Sequence, residues 1–286
     1  MDAQTYSVLV NIRLPRVMLA LLCGAGLSVS GAAFQSIFSN ALATPDTLGV
    51  AAGASFGAAL ALFLGAGLFM TQICGLVAGL CAVLLTYFIS RRRGVLSIIM
   101  VVLTGLVVSA LFEAGISIIK FMADPYAKLP AITFWLMGSL ANISYASLLI
   151  ATPFMLGGML ILFLLRWRLN ILSLNEDEAR ALGVNITTLR ILVATGATMI
   201  TAACVSLCGQ VGWVGLLIPH VCRMLFGNNN RDVIPASLSL GAVFLMIIDT
   251  FARAATAAEV PISILTSVIG APLFIILLRK TGGYSL

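Results

Sequence analysis

Three arginines carry the first chemistry worth reading in this chain. Arg13 and Arg16, in N-I-R-L-P-R, stand just before a long apolar run, and Arg253 stands near the end of a later one. A guanidinium presents its donors in a planar fork that fits a carboxylate bidentately. Three of them at one end of a hydrophobic bundle suit an acidic protein surface or an anionic ligand. Arg253 has a competing local reading, because Asp249 lies one helical turn before it at ion-pair spacing. Both readings stand at this point.

A second constellation occupies residues 170–190, NILSLNEDEARALGVNITTLR, the longest polar stretch of the chain. Asn175 with Glu178 three residues later has the form of a capping box. Glu176 and Asp177 favour the positive end of a helix dipole, and Gly183 supplies a stop. The spacing predicts a helix of about seven residues, about 10 Å long, with Ala179 and Leu182 on one face. Both caps and three carboxylates on so short a rod point to a docking element for a cytosolic partner. A third segment, F-S-N-A-L-A-T-P-D-T-L-G at 38–49, is rich in turn formers: Asn40, Thr44, Pro45 and Gly49. It reads as a tight turn, or as a gate where a central path would meet the cytosol.

Enzymatic readings find little support. A nucleotide-binding P-loop ends in Gly-Lys-Ser/Thr, whereas the lysines here follow Ile119, Ala127 and Arg279. The sole histidine, His220, belongs to no H-E-x-x-H motif, and S-V-S-G at 28–31 is a poor match to a serine-protease setting. The cysteines form neither a C-x-x-C pair nor a zinc spacing. No catalytic residue, metal or cofactor is assigned to the chain.

The elements that position these residues must be membrane helices. The 286 residues are 61% hydrophobic and 9% charged, against roughly 25% charged in soluble domains, and mean hydropathy is +1.13. A soluble enzyme, a nucleic-acid binder and a disordered chain are all excluded. An apolar stretch of about 20 residues crosses a bilayer. Long runs occur at about 17–38, 47–68, 71–90, 95–122, 145–166, 188–208, 232–253 and 262–279, with a shorter piece at 213–227 interrupted by Pro219. The expected fold is an all-α transmembrane bundle of nine spans, one transmembrane domain over 1–286 with a cytosolic segment at 170–190 inside it. That arrangement puts eleven Lys and Arg on one side and five on the other, which makes the richer side cytosolic. The lead MDAQTYSVLVNIRLPR then begins outside without a signal peptide, so one further N-terminal span, ten in all, is expected of the complete protein. Glycine and alanine every fourth residue, Gly49, Gly53, Gly57, Ala61 and Gly65, predict close helix packing. Glu113, Asp249 and Glu259 are acids within or beside the spans and leave an ion-coupled transporter as an alternative.

Over nearly its whole length the chain resembles the FecCD-type permease family, the membrane subunits of vitamin B12, siderophore and haem importers. The resemblance rests on I-R-L-P-R at 12–16, S-G-A-A-F-Q at 30–35, N-A-L-A-T-P-D-T-L-G at 40–49, F-W-L-M-G-S-L at 134–140, A-R-A-L-G-V-N at 179–185, G-W-V-G-L-L-I-P-H-V-C-R at 212–223, D-T-F-A-R at 249–253 and V-I-G-A-P-L-F at 268–274. It implies a ten-helix permease of a type II ABC importer in a prokaryotic inner membrane. The implied partners are a second permease copy, identical or related, two cytosolic ATPases that hold ATP and magnesium, and an extracytoplasmic binding protein. It also implies that Arg13, Arg16 and Arg253 meet acidic residues of the binding protein and that Asn40 and Leu42 form the cytosolic gate. The segment around Asn175, Glu176, Glu178, Ala179, Leu182 and Gly183 would couple to the ATPase. Ala41 replaces a proline common in the gate turn. An iron chelate, siderophore or haem, is the favoured cargo, with cobalamin or a molybdate-type oxyanion as alternatives.

Overall fold

A computed structural model of the chain describes residues 3–92, 95–96, 98–141, 143–174, 178, 183–255 and 259–281. A short helix α1 (Ala3–Ser7) runs through a π-helical stretch, Val8–Arg13, into α2 (Leu14–Phe38). There follow α3 (Val50–Phe63), α4 (Leu68–Ser90), α5 (Ile98–Met122), α6 (Lys128–Leu136) and α7 (Tyr145–Leu165). The remainder comprises α8 (Ile186–Cys208), α9 (Val214–Phe226), α10 (Asn230–Ala255) and α11 (Ile262–Thr281). Two two-residue strands, β1 (Arg91–Arg92) and β2 (Val95–Leu96), pair antiparallel between α4 and α5.

Lipid offers helices no apolar advantage in meeting, so they associate through close approach of small residues. The glycines show where. A Cβ on Gly24 would overlap the carbonyl of Gly241, one on Gly31 the carbonyl of Gly215, and one on Gly158 the carbonyl of Gly196. These three contacts bring α2 against α10 and α9, and α7 against α8. In the glycine stripe of α3, Gly53 and Gly57 press on Ala78, Ala82 and the Cys74 carbonyl of α4, whereas Gly65 has open space. The axis of the bundle is α2 with α8. Of the most apolar stretch in each, 72% is buried, against 28–39% in the other four long helices. Those four therefore present apolar surface outward, to lipid.

Several features differ from the apolar runs read in the sequence or add to them. The first helix begins well before residue 17: residues 3–13 are helical, and Gln4–Phe38 makes one 35-residue apolar helix. The expected nine full spans resolve, among the described residues, into six helices long and apolar enough to cross a membrane. Three shorter apolar helices, Val50–Phe63, Val214–Phe226 and Ile262–Leu277, accompany them. The run at 47–68 is broken because its first residues belong to a 3-10 turn, Pro45–Leu48. Finally, the segment between the runs at 95–122 and 145–166 contains a short helix, α6.

The chain between α2 and α3 turns back into the bundle instead of staying at its surface. Pro45 packs on Gly215, Thr47 and Leu48 on Gly105 of α5, and Thr86 of α4 donates to the Leu48 carbonyl at 3.1 Å. Gly31, which faces Gly215, lies about 10 Å before the end of α2 at 1.5 Å per residue. Helices α3 and α9 thus both start at mid-depth. Non-helical backbone at that depth is tolerated only when enclosed by protein or facing a cavity. A cavity of about 210 Å³ lies there, with Pro45, Asp46, Gln210, Trp213, Ser263 and Ser267 in its wall.

Candidate functional site

The bundle has two chemically distinct ends. Leu68, the first residue of α4, shares a cavity wall with Glu259, while Arg91–Arg92 follow the other end of α4, about 34 Å away for 23 helical residues. The Arg16 and Glu259 end is therefore opposite the arginine-rich end, and the excess of basic residues makes it the outer one.

At the outer end Arg16 is a hub. It is buried, and its Nε and Nη2 each lie 2.8 Å from Oδ1 of Asp249 on α10. Its Nη1 donates to both carboxylate oxygens of Glu259, at 2.9 and 3.0 Å. Arg253 joins from the next turn of α10, Nε to Asp249 Oδ2 at 3.1 Å. Two positive and two negative side chains thus form one cluster across α2, α10 and the segment leading to α11. The local ion-pair reading of Arg253 describes its geometry, although its side chain keeps 31% exposure. Arg13 differs from both: it is exposed and borders a shallow hollow with Gln4, Ser7 and Val8. Of the acids considered for ion coupling, Asp249 and Glu259 are already engaged by Arg16.

Beside the cluster lies an outer cavity of about 640 Å³, walled by Gln72, Trp135, Ser139, Cys208, Glu259 and Pro261. Its floor is stitched by backbone bonds: Ser139 N to Cys208 O at 2.9 Å and Ile262 N to Gly138 O at 3.0 Å. The participation of α6 and the pairing of Glu259 with Arg16 were not legible in the sequence. A signal for Glu259 did exist in an acid placed two residues before Pro261, but its partner lies 243 residues away.

At the inner end Asn40 and Leu42 form one turn. The Leu42 amide donates to Asn40 Oδ1 at 2.9 Å, and the Ala43 amide donates to the Asn40 carbonyl at 3.0 Å. The asparagine side chain thereby closes the turn that Ala41 leaves without a proline. Both Asn40 and Leu42 are exposed. Ser39, which ends α2, has φ of 46°. Its hydroxyl reaches the Leu172 carbonyl at 3.5 Å.

Leu172 belongs to a 3-10 segment, Arg168–Ser173, that leads into the capped polar stretch. Asn170 in it donates to Asn229 Oδ1 at 2.8 Å and accepts from the Asn230 amide at 2.9 Å, while Ser36 of α2 donates to Asn230 Oδ1 at 3.1 Å. Hydrogen bonds therefore run from the approach to the capped polar segment to the end of α2 and the turn at Asn40 and Leu42. Within that segment Glu178 is helical and exposed, and Gly183 has φ of 73°, the left-handed form that ends helices. Asn175, Glu176, Ala179 and Leu182 lie outside the described residues.

Three non-glycine residues among those described have positive φ: Ser39, Trp213 and Glu259. Each such residue costs of the order of 1–2 kcal/mol, so the surrounding structure must hold it. One sits at the end of α2 before the Asn40 turn, one at the mid-depth start of α9 and one at the outer cluster.

The chain is similar to known proteins over nearly its whole length. The sequence model of the FecCD transport family matches residues 1–280. A molybdate import system permease protein of Haemophilus influenzae is 42% identical over 98% of this chain and 83% of its own length. A probable iron chelatin transport system permease protein of Helicobacter pylori is 41% identical over 96% of this chain and 83% of its own. A solved structure described as a metal-chelate type ABC transporter in an inward-facing conformation superposes with a TM-score of 0.93. It is 41% identical, covering 98% of this chain and 90% of that one.

Proposed function

The chain belongs to the FecCD transport family, and we propose that it is the membrane subunit of a binding-protein-dependent importer that carries a metal chelate inward. The chain is a multi-pass membrane protein of a family of ABC importer permeases, for which a prokaryotic inner membrane is the expected location. Transport rather than catalysis is its role in this reading, and ATP with magnesium sits on the partner ATPases. Two copies, identical or related, would enclose the path, with two ATPases below and an extracytoplasmic binding protein above.

The observation that carries the proposal is the separation of the two ends. Arginines and carboxylates cluster at one pole around a cavity, while the gate turn and the approach to residues 175–183 are bonded together at the other. In the proposed cycle the binding protein seats its acidic groups on Arg13 and the outer cluster. Nucleotide binding closes the ATPases, the capped segment moves with them, and the Asn170–Asn230–Ser36 bonds pass that movement to the end of α2. The turn at Asn40 and Leu42 then opens or shuts the inner exit, so the path faces one side at a time. No residue of this chain has to break or make a covalent bond.

The cargo proposed is iron held by an organic ligand, a siderophore or haem. A specific observation favours a second reading: the 42% identical relative is a molybdate permease, so an oxyanion is the alternative. Thermal shift of the cognate binding protein with a ferric siderophore, haemin, cobalamin and molybdate separates these. The coupling role is tested by Leu182→Asp, which places a charge on the apolar face expected to seat on the ATPase. In nanodiscs with the ATPase and binding protein, the variant is expected to lose at least tenfold of transport while the ATPase still hydrolyses ATP. Undiminished transport by Leu182→Asp would remove the segment from the mechanism.

A further inference from the structure

We propose that Glu259 is an internal stand-in for a carboxylate of the docking partner, and that docking exchanges one for the other on Arg16. The inference rests on the docking reading given above and adds to it a displaced group and a consequence. Arg16 is bound by two carboxylates of unlike kind. Asp249 has a side chain 1% exposed and is gripped by both Arg16 and Arg253. Its removal would leave buried charge unpaired, which makes it a permanent partner. Glu259 is 38% exposed, and ion pairs open to solvent hold weakly. Among the described residues Glu259 is the partner of Arg16 Nη1, through both oxygens. An incoming carboxylate of the same geometry therefore competes for one nitrogen and with one side chain.

The backbone supports exchange over a fixed clasp. Glu259 has φ of 53° without being glycine, a conformation that an L residue holds at a cost. Release from Arg16 lets it relax. The residues that follow are anchored, Val260 N to Ala252 O at 3.1 Å and Ile262 N to Gly138 O at 3.0 Å, so the change stays at Glu259 and does not run on into α11. Glu259, with Val260 and Pro261, forms one wall of the outer cavity. Partner docking and a change in that wall thus become one event, which places the cargo's entrance under the control of the docked protein.

The experiment measures binding-protein affinity for the whole permease complex in nanodiscs at low salt. A structural clasp and an exchangeable stand-in predict opposite signs for Glu259→Gln. Exchange predicts tighter binding, by about two- to fivefold for removal of an exposed competing ion pair; an unchanged or weakened affinity overturns it. Arg13→Glu, measured alongside, reports on docking itself. Weaker binding by Arg13→Glu with no gain for Glu259→Gln rejects exchange and keeps docking. No effect of Arg13→Glu at low salt rejects both. Should Glu259→Gln fail to fold, a fluorophore on Val260→Cys gives the second readout. Exchange expects its environment to change when the binding protein is added, and an unaltered spectrum contradicts it.

Discussion

Arg13 and Arg16 are three positions apart in one motif and have unrelated physical lives. Arg16 is withdrawn between α2 and α10, where it holds Asp249 together with Arg253 and also Glu259, while Arg13 stands exposed. Removing one member of a buried ion pair strands the other and costs about 3–5 kcal/mol, whereas an exposed side chain away from such features is worth about 0.5 kcal/mol or less. Arg16→Ala should therefore lower stability in detergent sharply and Arg13→Ala hardly at all. Thermal melts of the two variants check this, and equal shifts would contradict the hub. Reading residue types and spacing was enough to pair Asp249 with Arg253, because that contact is one helical turn long. It could not bring Glu259 to Arg16, since nothing local encodes a contact between the two ends of the chain.

Among the elements, the glycines divide into those that carry packing and those that do not. Gly31 meets the Gly215 backbone with no room for a methyl group, while Gly67 has nothing within 4 Å and an ordinary φ. Over-packing costs about 1–3 kcal/mol where neighbours are able to shift, and here the neighbour is backbone. Gly31→Ala is expected to lose at least that much stability and Gly67→Ala to stay within about 0.5 kcal/mol, by melting of the purified variants. Similar melting temperatures would show that α2 and α9 do not approach as described. Apolar run length located the long helices to within a few residues. It missed the return of 39–49 into the bundle, because Asn, Thr, Pro and Gly announce a turn without announcing its depth. It also missed α6, whose nine residues are too short to carry a clear period, and it started the first helix at about 17 where helical structure already runs from Ala3.

For the molecule as a whole, charge asymmetry was the most informative feature of the sequence, since it assigned the two ends before any contact was known. The structure then places the Arg16 cluster and the Arg91–Arg92 hairpin at opposite poles. What no sequence pattern could supply is the link between the inner parts, where Asn170, Asn230 and Ser36 meet only after three elements have packed. The account treats the chain as a conduit worked from both ends, with energy supplied from inside and cargo delivered from outside. Its most direct test is uptake into proteoliposomes that hold the permease and its ATPase, with loaded binding protein outside and ATP within. Accumulation of the metal that needs all three components, and that stops when hydrolysis is blocked, is the expected result. Accumulation that proceeds without the ATPase and follows a proton or sodium gradient instead would contradict it.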